Sequence, residues 1–168
     1  MTRLGVVRLA PLLAVVAALL LATQATPQLP SRSAAKPAPK LEPVAETKLL
    51  MQGINQANFA GLERLLKDKP ADVEAWTFAR GQALLIAEGG NLLMLRPPKK
   101  GGVDAWMDHA QELRDAATGL ARAASNRDYE RSRAGMTDMA NACTHCHQTF
   151  RVPVRVVPFG EPAAPEKP

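Results

Sequence analysis

The sequence predicts an all-α protein, an antiparallel up-down-up-down four-helix bundle. Three observations carry this. Four stretches repeat apolar residues at helical spacing, and none sustains an alternation of period two. Each stretch is about 24 residues, or about 36 Å long at 1.5 Å per residue. The links between them are short, which favours antiparallel neighbours. A three-helix bundle with one helix broken at Gly89-Gly90 is the alternative.

Residues 1–25 read as a secretory signal. Arg3 and Arg8 give a positive start, Leu9–Ala22 is apolar, and Thr23-Gln24-Ala25 puts small residues at the −3 and −1 positions of a cleavage site. The apolar run is shorter than the ~20 residues that a spanning helix needs. An uncleaved anchor using Leu4–Ala22 is the competing reading, and only then is a membrane a partner. Either way the folded part is expected outside the cytoplasm, in the periplasm. Residues 26–43, with Pro27, Pro30, Pro37, Pro39 and Pro43, read as a semi-rigid linker. Residues 44–152 form the folded unit. Residues 153–168 carry Pro153, Pro158, Pro162, Pro165 and Pro168 and read as a tail without secondary structure, a candidate for an irregular strap against the core.

The first helix is expected over Val44–Asp68, with Leu50, Ile54, Ala57, Gly61 and Leu65 on its apolar stripe and Pro70 closing it. Asp72 is placed to cap the second, Val73–Arg96, whose stripe is Trp76, Ala79, Ala83, Ile86/Ala87, Gly90 and Leu93/Met94. Within it Gly89-Gly90 marks either a loosely held bend or a close approach of another backbone or a flat ligand. Pro97-Pro98-Lys99-Lys100-Gly101-Gly102 breaks the pattern. The third helix, Val103–Ser125, aligns Trp106, His109/Ala110, Leu113, Ala116/Ala117, Leu120 and Ala124, and stops at Asn126. The fourth, Arg127–Arg151, aligns Met136, Met139/Ala140, Cys143, Cys146/His147 and Phe150 before Pro153. Trp76, Trp106, Phe59 and Phe78 are the aromatic candidates for the core.

The net charge of +5 does not indicate nucleic acid. Residues 44–152 hold 14 Lys/Arg against 13 Asp/Glu, so the excess lies in the leader and linker. Aromatic residues are 4% of the chain, too few for base stacking. No nucleophile–His–carboxylate set and no phosphate-cradling glycine loop is readable.

One motif carries chemistry. Cys143-Thr144-His145-Cys146-His147 is CxxCH, the attachment pattern of a c-type haem. Two thiols at i and i+3 share a helix face and reach the two vinyl groups of one porphyrin. The next residue, His147, supplies the proximal imidazole. Cys143 and Cys146 are the only two cysteines of the chain. Three competing readings are weaker. A redox dithiol normally follows a strand and opens a helix. A zinc site cannot readily close around one ion from five consecutive residues. A disulfide within a helical turn is strained.

The string Cys143-x-x-Cys146-His147-x-x-Phe150-Arg151 at the end of the last helix resembles the class II cytochromes c, the cytochrome c′ family; Ala105-Trp106-Met107-Asp108 resembles the start of that family's third helix. The resemblance implies a left-handed four-helix bundle, one covalent haem c, His147 as fifth ligand and Arg151 near the proximal side. It also implies that a first-helix residue faces the distal iron. Met51 falls about there, although Thr47 stands where the family's usual Arg would be. A Met there implies a six-coordinate electron carrier; a merely packing Met implies a five-coordinate protein that binds NO or CO. His109 is a rival approach to the haem, Met94 lies near its helix end, and Met136 and Met139 are expected to pack. His145 is expected to be exposed. The expected function is a monohaem one-electron carrier rather than an enzyme. The gas-binding protein is the alternative, and a haem peroxidase using His109 is less favoured. Expected partners are redox proteins, with a homodimer as a further option.

Overall fold

The computed structural model describes residues 40–160. The expected leader over residues 1–25, the linker up to residue 39 and the tail from residue 161 lie outside the described residues. The described part is all-helical, with four helices and no strand among the described residues. Helix α1 (47–65) consists of Thr47–Leu50 in α form, Met51–Gln56 in π form and Ala57–Leu65 in α form. Helices α2 (Val73–Met94), α3 (Val103–Ser125) and α4 (Tyr129–Thr149) are regular.

Local chemistry sets the boundaries. Asp72 Oδ1 accepts from the Ala75 amide at 2.7 Å, and Asp128 Oδ1 accepts from the Arg131 amide at 3.0 Å. Each satisfies a donor that the first helical turn leaves without a partner. Between α2 and α3, Gly101 (φ 62°) and Gly102 (φ 72°) adopt left-handed backbone that other residues rarely take.

The apolar stripes of α2, α3 and α4 form the core as expected, with Ile86, Leu120, Met136 and Met139 fully buried. That of α1 is displaced. A π turn inserts one residue into the helical repeat, so beyond it the buried face falls one position later. Asn55 and Leu66 are buried where Ile54 and Leu65 were expected, Leu62 is buried beside the expected Gly61, and Ala57 is exposed. Phe78, expected as core, is 61% exposed on the outer face of α2, off the Trp76–Ala79–Ala83 stripe.

The two adjacent glycines of α2 serve close approach. A Cβ on Gly90 would lie 2.8 Å from the Ala110 carbonyl oxygen and 3.0 Å from Arg114 Cβ on α3. A Cβ on Gly89 would collide with the Asn55 amide of α1, and one on Gly61 would collide with the Gln82 amide of α2. Thus α1 and α2 each press an amide side chain into a glycine notch of the other. The amide oxygens, Asn55 Oδ1 and Gln82 Oε1, are buried without a hydrogen-bond partner.

Each end of the bundle is tied by hydrogen bonds to exposed helix-end carbonyls. At one end Tyr129 Oη donates to the Lys67 carbonyl at 3.0 Å, and Arg133 Nη1 donates to the Leu66 carbonyl at 2.7 Å. At the other, Trp106 Nε1 donates to the Leu93 carbonyl at 2.7 Å, and Arg96 Nε donates to the Ala45 carbonyl at 3.1 Å. Backbones pack closely for α1 with α2, α2 with α3 and α3 with α4; α1 and α4 approach each other at few points among the described residues.

Candidate functional site

The antiparallel order brings the start of α1, the end of α2, the start of α3 and the end of α4 to one end of the bundle. Cys143, Cys146 and His147 occupy the last turns of α4 there. Cys143 and Cys146 are both free thiols and half-buried, and Cys143 packs on the core cluster. Burial, followed by the charge of Cys146, pushes the Cys143 thiol up to about 12. Burial also raises Cys146, with Glu112 adding to it. Both therefore stay protonated near neutral pH. That disfavours the thiolate on which a redox dithiol relies. Among the described residues, no three His, Cys, Asp or Glu side chains converge as a metal site.

His147 is oriented by the backbone. Its Nδ1 lies 3.0 Å from the Val154 carbonyl oxygen. A carbonyl only accepts, so Nδ1 carries the proton and Nε2 keeps its lone pair. Two thiols on one helix face, beside an imidazole whose Nε2 is left for a metal, fit a covalently attached haem.

Around them, Phe150 packs edge-on to Trp106 at a centroid distance of 5.2 Å, which joins the end of α4 to the start of α3. His109 is committed elsewhere: Nε2 is 2.9 Å from Thr149 Oγ1 and Nδ1 is 3.2 Å from Glu112 Oε2. His145 is 57% exposed and meets the other oxygen of Glu112 at 3.3 Å. Both histidines thus belong to a surface hydrogen-bond cluster. Met136 and Met139 are core packing.

Met51 is half-buried against the core at the same end of the bundle, as the first residue of the π turn. Its Sδ accepts from Asn55 Nδ2 at 3.4 Å. The Arg133–Leu66 hydrogen bond joins the start of α4 to the end of α1. In the antiparallel order Met51, early in α1, and His147, late in α4, therefore both lie toward the opposite end of the bundle.

Arg151 follows directly after α4 with φ 56°, exposed, and its guanidinium has no hydrogen-bond or ion-pair partner among the described residues. Sequence reasoning missed Val154, whose contribution is a carbonyl common to all residues. Asn55, expected with Met51, Ile54 and Asn58 on a face beside the apolar stripe, is itself buried.

Comparison with known proteins adds one finding. Residues 103–151, which span α3 and α4, match a protein-family model described as Cytochrome C'. Comparisons with curated proteins and with solved structures found no match.

Proposed function

We propose that the protein is an exported monohaem c-type cytochrome that carries single electrons, a reading supported by the match of α3 and α4 to the family model described as Cytochrome C'. The observation that carries the reading is the CxxCH motif on one face of α4, with Cys143 packed against the core, Cys146 half-buried and His147 beside them. When bound, the haem supplies a one-electron iron couple. Cys143 and Cys146 would hold it covalently, and His147 would offer Nε2 to its metal. Trp106, Phe150 and the end of α2 limit water at that end of the bundle. Met51, half-buried at the same end of the bundle, is the residue proposed as a second ligand that would hold the metal. Arg151, exposed just beyond α4, would pair with a peripheral carboxylate of the group.

Export rests on Arg3, Arg8 and the apolar run Leu9–Ala22, and makes the periplasm the proposed location. No helix of the described residues is long and apolar enough to cross a membrane. A non-enzymatic role is favoured because His109, the candidate acid–base group for a peroxidase, is engaged on both ring nitrogens. Redox proteins are the proposed partners. The groove on α1 and α2 lined by Asn58, Phe78, Gly81 and Leu85 is apolar and open, which supports the homodimer.

One observation favours the second reading, a five-coordinate protein that binds NO or CO: the Met51 thioether already accepts from Asn55. Absorption spectra of the matured protein with and without CO decide between them. For the carrier, the wild type shows low-spin bands and slow CO uptake, and Met51→Ala turns it high-spin and CO-reactive. A wild type that is already high-spin, with a spectrum unchanged in Met51→Ala, discards the carrier.

A further inference from the structure

The segment that follows α4 has neither helical nor strand periodicity, yet it is fastened at three points. First, α4 ends in a Schellman turn: the Val152 amide donates to the His147 carbonyl at 2.7 Å and the Arg151 amide to the Gln148 carbonyl at 3.2 Å. This reverses the chain and sends it back along α4. Second, Thr144 Oγ1 donates to the Val156 carbonyl and accepts from the Val156 amide, both at 3.2 Å. Third, the Phe159 amide donates to Glu63 Oε1 on α1 at 2.8 Å, and the Phe159 ring lies 3.8 Å from the Arg133 guanidinium carbon. Between the first two fastenings, the Val154 carbonyl accepts from His147 Nδ1.

We propose that residues 152–160 form a strap that positions the metal-binding imidazole, with the Val154 carbonyl fixing the His147 tautomer and ring plane and with Thr144 and Phe159 holding that carbonyl in place. The inference rests on the haem reading above and deepens it.

A neutral imidazole carries one N–H, and the partner of that N–H decides which nitrogen is left to a metal. A carbonyl acceptor on Nδ1 also makes Nε2 more basic, which strengthens its bond to an oxidised metal and lowers the reduction potential. Thr144 sits one helical turn before His147, on the same side of α4. Its two bonds to Val156 therefore clamp the strap over the imidazole rather than at a distance from it. The matched family segment ends at residue 151, so the strap is supplied by a part of the chain that the match does not reach. Val154 is a positioning residue; it touches His147 and not the reacting group.

A carbonyl cannot be deleted by substitution, so the test removes its support. In the matured protein, Thr144→Val leaves the side-chain volume and abolishes both bonds to Val156. The iron–histidine stretching frequency, read in the five-coordinate photoproduct of the reduced CO adduct, is expected to fall, the reduction potential to rise, and the Nδ1 proton of His147 to exchange about fivefold faster, as loss of about one net hydrogen bond implies. Thr144→Ser restores all three. An unchanged stretching frequency and exchange rate in Thr144→Val, with only a lowered melting temperature, makes the strap a structural brace and overturns the proposal. If Thr144→Val does not mature, Phe159→Ala, which loosens the far end, is read by the same measurements and the same criteria. Wild-type protein without covalent haem overturns the haem reading and the strap together; haem-bearing protein with unmoved signals overturns the strap alone.

Discussion

Replacing Gly90 by alanine isolates the contact that holds α2 to α3. A Cβ at this position would lie 2.8 Å from the Ala110 carbonyl oxygen, 3.0 Å from Arg114 Cβ and 3.1 Å from the Arg114 amide nitrogen. Two of these atoms are backbone, so the helices themselves must separate. Overpacking of this kind costs about 1–3 kcal/mol. Opposing it, alanine in a helix interior is favoured over glycine by about 1 kcal/mol. Gly81 supplies the control on the same helix: it is exposed, and nothing lies within 4 Å of its built Cβ. Gly81→Ala is therefore expected to stabilise by about 1 kcal/mol through propensity alone. Gly90→Ala is expected to destabilise by about 1 kcal/mol net. The separation of about 2 kcal/mol corresponds to about 8 °C in Tm for a domain of this size. Denaturant unfolding followed by far-ultraviolet circular dichroism measures both variants. If Gly90→Ala falls within about 0.5 kcal/mol of Gly81→Ala, the close approach does not hold the helices and the argument fails.

Three further outcomes follow from the same geometry. In chain that has not received haem, Arg151→Gly is expected to raise Tm, because a left-handed residue just beyond α4 costs about 1 kcal/mol when it carries a side chain; a lowered Tm there would show that the guanidinium has a stabilising partner within the chain. Asp72→Ala is expected to lose about 1 kcal/mol in denaturant unfolding, since the Ala75 amide loses its acceptor, and an unchanged midpoint would contradict the cap. In chain that has not received haem, the folded state holds the Cys143 proton up to about 12, whereas an unfolded thiol releases it near 9.0. The folded form then binds more protons above pH 9, so stability is intact below that point and falls as pH rises toward 12. Thioether-linked protein has no thiol to titrate and should lack this decline, which paired pH–stability curves would reveal.

Most of the architecture could be read from residue spacing. Asp72, Asn126 and the Pro97–Gly102 break mark helix ends by local chemistry that depends on no distant contact. The CxxCH motif is likewise local, and its place near the end of α4 follows from the periodicity around Met136 and Met139. The features that escaped reading depend on backbone rather than side-chain type. The π turn over Met51–Gln56 has no compositional signature, yet it moves every later residue of α1 by one position, which exposes Ala57 and buries Leu66. Phe78 is as hydrophobic as a core aromatic, but it lies about 200° around α2 from Trp76 and so faces outward. The Val154 carbonyl that meets His147 looks, in the sequence, like any other carbonyl.

The paired notches between α1 and α2 bear on how the molecule moves. Asn55 and Gln82 each spend a buried oxygen without a partner to fill the other helix's glycine gap, a deficit of about 1–3 kcal/mol per group. The joint is selective for its register but weakly cohesive, and among the described residues α4 hydrogen-bonds α1 only near the end of α1, at Leu66 and Lys67. On warming, the first helix should therefore peel away before the remaining three let go of one another, and the environment of Met51 should loosen at temperatures where Cys143 and His147 are still firmly seated.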